Sequence, residues 1–157
     1  MNTEKTIEQY YLKAADLCSK SEKCSSDVRE KLQQWGADQQ MTELLIKRLQ
    51  SEKFIDDARY AGYFVKDKFR FNKWGRVKIA YMLRMKRVAP AVIEEALNTI
   101  DEDEYSETLE NLIRQKAPKT TGKTVFEKKA KLLRFGQSHG FENQYIFPII
   151  EKILAAK

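Results

Sequence analysis

The sequence predicts an all-α protein, an elongated array of three tandem three-helix repeats with about nine helices. Six Gly and three Pro in 157 residues are too few turn residues for a sandwich or barrel of many short strands, while the helix formers Lys, Glu, Leu, Ala and Gln abound. Apolar residues recur at helical spacing along most of the chain. One apolar register also returns twice. Val28, Leu32, Ala37, Met41, Leu45, Ile46 and Leu49, shifted by 51 residues, become Ile79, Leu83, Val88, Val92, Ala96, Leu97 and Ile100, and a further shift of 53 takes the last five to Phe141, Tyr145, Ile149, Ile150 and Ile153. Such a period places the repeats at residues 1–55, 56–101 and 102–157. An array of this kind exposes much surface per residue, as proteins that lie along a partner do.

The helices follow in order. Ile7, Tyr10, Tyr11, Ala14, Leu17 and Cys18 form the first amphipathic stripe, which the polar run Ser19 to Ser25 ends. Ser25 or Ser26 is the expected cap of a second helix, with Val28, Leu32 and Trp35 inward and Gly36 as its stop. Asp38 caps a third that carries Met41, Leu44, Leu45 and Leu49. A fourth starts at Asp56 or Asp57, where acids favour the positive end of the helix dipole; it buries Ala58, Ala61, Val65 and Phe69, and Asn72 to Gly75 breaks it. Ile79, Met82 and Leu83 face inward from a fifth. Pro90 opens a sixth, with the stripe Val92, Ala96, Leu97 and Ile100. Asp101 or Asp103 caps a seventh bearing Tyr105, Leu109, Leu112 and Ile113, and Ala117 to Thr124 is a longer loop. An eighth carries Phe126, Ala130 and Leu133, and a ninth carries Tyr145, Ile149, Ile150 and Ile153. Pro148 lies inside the ninth pattern and is expected to delay or kink it.

Composition excludes several classes. An apolar fraction of 42% with 33% charged residues suits a folded chain. No run approaches the length of a membrane span, and Met1 to Thr6 lacks the apolar core of a signal peptide, so a soluble, cytoplasmic protein is expected. Cys18 and Cys24 have neither disulfide-framework nor zinc spacing and are expected to be inert thiols. Ala117 to Thr124 fits a loose phosphate-binding loop, yet its first Gly is Ala117 and an amphipathic helix precedes it where a strand is required. Asp101 and Asp103 alternate as calcium ligands do, but Tyr105 and Ser106 stand where a ligand and the turn Gly belong. His139 is the lone histidine and has no partner for zinc or for base catalysis. No enzyme activity, cofactor or metal is expected.

Charge is the informative property. The net charge of +6 is unevenly spread: residues 1–65 carry −1, 66–87 carry +8, 88–112 carry −8 and 113–157 carry +7. The second block holds Lys66, Lys68, Arg70, Lys73, Arg76, Lys78, Arg84, Lys86 and Arg87 around Phe69, Phe71, Trp74 and Tyr81, with Asp67 as its one acid. Such a mixture suits a phosphate backbone or an acidic protein surface; the plain alternative is a solvated helix face over buried aromatics. Lys128, Lys129, Lys131 and Arg134 form a second basic candidate. A free-standing duplex binder that used helices five and six as a helix-turn-helix would present Glu94 and Glu95 to phosphate, which argues against that geometry.

At Phe54-Ile55-Asp56-Asp57-Ala58-Arg59-Tyr60-Ala61 the chain resembles the RecX family of bacterial regulatory proteins. The resemblance continues through Gly75, Ile79, Leu83 and Lys86 to Val88, and returns at Val125-Phe126-Glu127-Lys128-Lys129-Ala130-Lys131, Arg134-Phe135 and Gly140-Phe141. The sequence departs from the family pattern at Arg76, where Pro often follows Gly75, at Arg87, where Gly is usual, at His139, where Arg is common, and at Gly136, where Leu is expected. The resemblance implies three tandem three-helix repeats and a regulator in homologous recombination, DNA repair and the SOS response. It also implies a protein that binds the RecA recombinase, mainly as its filament on single-stranded DNA, and suppresses ATP hydrolysis, strand exchange and coprotease function. Asp56, Asp57, Arg59, Gly75, Gly140 and Phe141 are then expected in structural roles, and the basic block in contact with RecA or DNA. A monomer is expected, since no heptad is long enough for a coiled coil.

Overall fold

The structure is a computed structural model that describes residues 3–155. Among the described residues it is all-helical: α1 Thr3–Lys20, α2 Ser25–Gln34, α3 Gln39–Ser51, α4 Asp57–Arg70, α5 Arg76–Met85, α6 Pro90–Leu97, α7 Glu102–Lys116, α8 Val125–Ser138 and α9 Asn143–Ala155. The expected longer loop after α7 is partly a 3-10 turn at Ala117–Lys119.

The repeat is visible in the backbone. Gly36, Arg87 and Gly140 stand at equivalent positions after α2, α5 and α8, and all three have positive φ, at 106°, 60° and 92°. In each case the next residue is buried, Ala37, Val88 or Phe141. Its N–H returns to the helix just finished, Ala37 to the Leu32 carbonyl at 3.0 Å, Val88 to Leu83 at 3.1 Å and Phe141 to Gly136 at 3.2 Å. A left-handed residue followed by an inward apolar one ends the helix and aims the chain into the next. Arg87 does this without glycine's freedom, at a steric cost of roughly 1 kcal/mol.

The chain divides into two compact units, residues 1–61 with 83–93 and residues 62–82 with 94–157. The core of the first joins Tyr11, Ala14, Val28, Leu32, Ala37, Leu45, Ile46, Leu49 and Ile55. Arg48 lies 3.5 Å over the Tyr11 ring and pairs with Glu8 at 3.0 Å, while Arg29 holds Glu43 through two hydrogen bonds of 2.6 and 3.1 Å. Asp38 caps α3 by accepting from the Met41 N–H at 2.8 Å. Three expectations fail here. Ala58, expected inward, is exposed. Leu44 points to water at 56% exposure, because the inward stripe of α3 is Thr42, Leu45, Ile46 and Leu49, and Leu44 is one position off it. Cys24, not a serine, occupies the cap position of α2, and the Asp27 carboxylate accepts its N–H. The serine hydroxyls are taken by distant partners, Ser25 by Asp57 and Ser26 by the Lys86 carbonyl.

In the second unit Tyr105 is wholly buried and is the hub of an aromatic cluster. Its ring centroid lies 5.8 Å from Phe69, 4.9 Å from Phe141 and 5.0 Å from Tyr145. Asp101 caps α7 through the Glu104 N–H at 2.9 Å. Thr124 caps α8 through the Glu127 N–H at 3.1 Å, and the Glu127 carboxylate returns to the Lys123 N–H at 2.8 Å. The phosphate-loop lookalike therefore ends in a helix start that Thr124 caps, with the Lys123 N–H before it taken by Glu127. A Cβ on Gly136 would come within 2.9 Å of Ile146, so the missing leucine there makes room for a buried isoleucine. Phe126, expected inward, is 80% exposed; it is the second residue of α8, ahead of the buried Leu132 and Gly136. Pro148 neither shortens α9 nor delays its start. It lies on the exposed side, as does Gln144, whose carbonyl its missing N–H would have met.

Candidate partner-binding surface

The motif residues Asp56, Asp57 and Arg59 act within the first unit. The Asp56 carboxylate accepts the Arg59 N–H at 3.0 Å and caps α4. Asp57 does something else: its two oxygens take the Ser25 N–H and hydroxyl, each at 2.8 Å, and so fix the start of α2. Arg59 donates to Glu22 at 2.5 Å and to the Lys53 carbonyl at 3.2 Å. Burial pushes the neighbouring Tyr60 phenol up to about 12. Replacing Asp56 by Ala is expected to cost about 1 kcal/mol, the loss of a cap. Replacing Asp57 should cost about 2 kcal/mol, because two bonds to a charged acceptor go. Urea melts measure both, and a double variant that melts like the parent yet no longer engages its partner would show these aspartates to be contact residues.

Gly75 and Gly140 meet. The first N–H groups of α5 lack partners in their own helix, and here Gly75 donates to the His139 carbonyl at 2.6 Å and Val77 to the Gly140 carbonyl at 2.9 Å. His139 Nδ1 also lies 3.1 Å from the Lys73 carbonyl. A Cβ on Gly75 would overlap the Gly140 carbonyl and come within 2.6 Å of the Phe141 nitrogen, and one on Gly140 would come within 2.7 Å of the Lys78 nitrogen. Phe141, buried behind this junction, packs on Tyr105.

The nine cations of the basic block do not behave alike. Arg76 is turned into the second unit, its side chain only 17% exposed. Its guanidinium lies 4.0 Å from the Tyr105 ring centroid, binds Glu102 at 2.6 Å and Tyr145 at 3.2 Å, and stands 3.8 Å from Glu142. Burial works against its charge, yet Tyr145, Tyr105 and Glu102 outweigh it and hold the guanidinium above its ordinary value. Burial and the Glu142 carboxylate, which accepts from Tyr105, drive the Tyr105 phenol far up. Lys86 is likewise engaged, bound to Asp27 at 2.8 Å. That hydrogen bond raises Lys86; burial opposes ionisation of Asp27, but the bonds from Lys86 and Cys24 prevail and lower it. Arg76 and Lys86, grouped with the partner-facing cations on sequence, are thus internal ties.

Lys68 and Lys78 are half-buried and lie 5.2 and 4.6 Å from the Trp74 ring centroid; Lys68 also stands 3.9 Å from Asp67. The remaining five, Lys66, Arg70 and Lys73 in the second unit and Arg84 and Arg87 in the first, are exposed and form no ion pair among the described residues. Exposed apolar side chains accompany them: Phe71 at 79%, Val77 at 53% and Tyr81 at 54%. In the second basic candidate, Lys129 pairs with Glu151 at 2.7 Å and Lys131 donates to the Thr121 carbonyl at 2.6 Å. Lys128 packs its stem against Gly122, and Arg134 is exposed. Among the described residues no group of three or more His, Cys, Asp or Glu is placed to hold a metal, and no helix is long and apolar enough to cross a membrane.

The family model described as RecX, second three-helix domain, matches residues 56–97. The regulatory protein RecX of Clostridium tetani (strain Massachusetts / E88) is 33% identical over 144 residues, which cover 90% of this chain and 65% of that protein. The regulatory protein RecX of Clostridium botulinum (strain Eklund 17B / Type B) is 33% identical over 134 residues, 84% of this chain and 62% of that protein. The crystal structure of RecX from Lactobacillus salivarius superposes with a TM-score of 0.87 at 21% identity, covering 95% of this chain and 97% of that one. Another crystal structure of a regulatory protein RecX gives 0.85 at 20% identity, covering 93% and 73%. Fold and repeat define an all-helical protein built from three-helix domains. The chain belongs to the RecX family. It spans somewhat under two thirds of the length of the two clostridial relatives.

Proposed function

We propose that this protein regulates the RecA recombinase by binding its filament on single-stranded DNA and suppressing ATP hydrolysis, strand exchange and coprotease function. The observation that carries the reading is the set of exposed cations that form no ion pair among the described residues, Lys66, Arg70, Lys73, Arg84 and Arg87, in a chain that belongs to the RecX family. Unpaired surface cations attract a polyanion and displace its counterions. The three repeats, 1–55, 56–101 and 102–157, are the modules of this binding, the middle one its most basic, and the protein acts in the cytoplasm as a monomer without cofactor or catalytic step. The test is ATP hydrolysis by RecA on single-stranded DNA, titrated with this protein. Hydrolysis is expected to fall as the protein is added. An unchanged rate would overturn the proposal, and an unchanged rate together with tight duplex binding would favour a free-standing DNA-binding protein.

A further inference from the structure

Phe71 follows Arg70, the last residue of α4, in the short turn that leads to α5, and it is 79% exposed. The turn is firmly built. Lys73 adopts a left-handed φ of 58° and donates from Nζ to the Arg70 carbonyl at 2.6 Å, and the Trp74 N–H returns to the Lys68 carbonyl at 3.1 Å. The two aromatics of the turn differ in what they have left to offer. Trp74 is half-buried with two ammonium groups already against its ring, whereas the Phe71 ring stands in water. Beside it in the chain are Lys66, Arg70 and Lys73, all exposed and without an ion pair among the described residues.

We propose that Phe71 is a stacking platform for one base of a single-stranded nucleic acid, with the adjoining phosphates held by Lys66, Arg70 and Lys73. This rests on the reading above that nucleic acid is part of the partner, and it adds which form is recognised. Every base has an apolar face, so an open ring among cations grips a single strand without regard to sequence. In a duplex those faces are covered by neighbouring pairs; the cations gain from both forms, but the ring gains only from the strand. An acidic protein surface would satisfy the cations and leave the ring of a turn tip without a matching face.

The test is equilibrium binding of the full chain to a fluorescent thymidine oligonucleotide of roughly 20 residues, an abasic strand of the same length, and a duplex. The parent is expected to prefer the base-bearing strand to the abasic one by about tenfold. Phe71→Ala should abolish that preference and leave the salt dependence unchanged, and Phe71→Trp should restore it where Phe71→Leu does not. Circular dichroism checks that each variant is folded. Equal binding of both single strands by the parent, or an undiminished preference in Phe71→Ala, overturns the proposal. Phe71→Ala that loses inhibition of RecA hydrolysis while binding DNA as the parent does would assign the ring to a protein contact, again against stacking. The opposite pairing, a base preference that Phe71 carries in a protein without effect on RecA, would keep the stacking and remove the RecA reading.

Discussion

Gly140→Ala is expected to lower stability by about 4 kcal/mol, the sum of two effects. The left-handed backbone at φ 92° penalises any side chain, and the new Cβ would run into the Lys78 backbone and side chain of α5. Neither strand of this junction yields easily, because the two backbones are joined by hydrogen bonds from Gly75 and Val77 to the His139 and Gly140 carbonyls. Gly75→Ala should act similarly, since its Cβ would overlap the Gly140 carbonyl. Gly62→Ala is the control. Gly62 lies inside α4 with nothing within 4 Å of a Cβ, and the change should stabilise by up to about 1 kcal/mol through helix propensity. Urea denaturation of the three variants measures the contrast, and a Gly140→Ala midpoint equal to the parent's would refute the clash.

Reversing Lys66, Arg70 and Lys73 to Glu together is expected to weaken binding to the RecA filament roughly tenfold or more, and to flatten the dependence of log affinity on log salt by about 2. Each is exposed and without an ion pair among the described residues, so the change breaks no salt bridge and, of the hydrogen bonds described above, only that from Lys73 to the Arg70 carbonyl. Single reversals should do less, because each touches one of three phosphate contacts and the other two remain. Arg76 belongs to a different experiment. Arg76→Met strips Glu102, Tyr145 and Glu142 of their shared partner and should destabilise the second unit while leaving the salt slope of whatever stays folded unchanged. Affinities at several salt concentrations decide, and equal slopes for parent and a folded triple variant would move the contact elsewhere, most directly to Arg134 and Lys128.

Much of this was legible in the residues because it is local. Asp38 and Asp101 announce their caps, Pro90 opens its helix, and the apolar triplet Ala37, Val88 and Phe141 marks three equivalent helix ends through its own periodicity. What escaped depends on partners far along the chain. The hydroxyls of Ser25 and Ser26 could serve as caps, and only the arrival of Asp57 and Lys86 sends them elsewhere. Arg76 counted as one more cation of a basic block, although its place held a clue. It is the first residue of α5, where the helix dipole repels positive charge, and a cation there calls for carboxylates from another segment. Glu102 and Glu142 supply them across 26 and 66 positions of sequence. Phe126 misled for the opposite reason: its spacing fits a stripe, but α8 begins too close before it for that stripe to have reached the core.

The seam between Gly75 and Gly140 also sets an order of events during synthesis. Residues 62–82 leave the ribosome long before residue 139 exists, and until then the N–H groups of Gly75 and Val77 have only water to bond, while Arg76, which Tyr105 and Glu102 can already meet, still waits for Glu142. This stretch therefore matures when α8 and α9 arrive, and a nascent or clipped chain that stops short of residue 139 carries its middle segment unfinished. Damage around residues 139–142 is felt in the most basic part of the molecule.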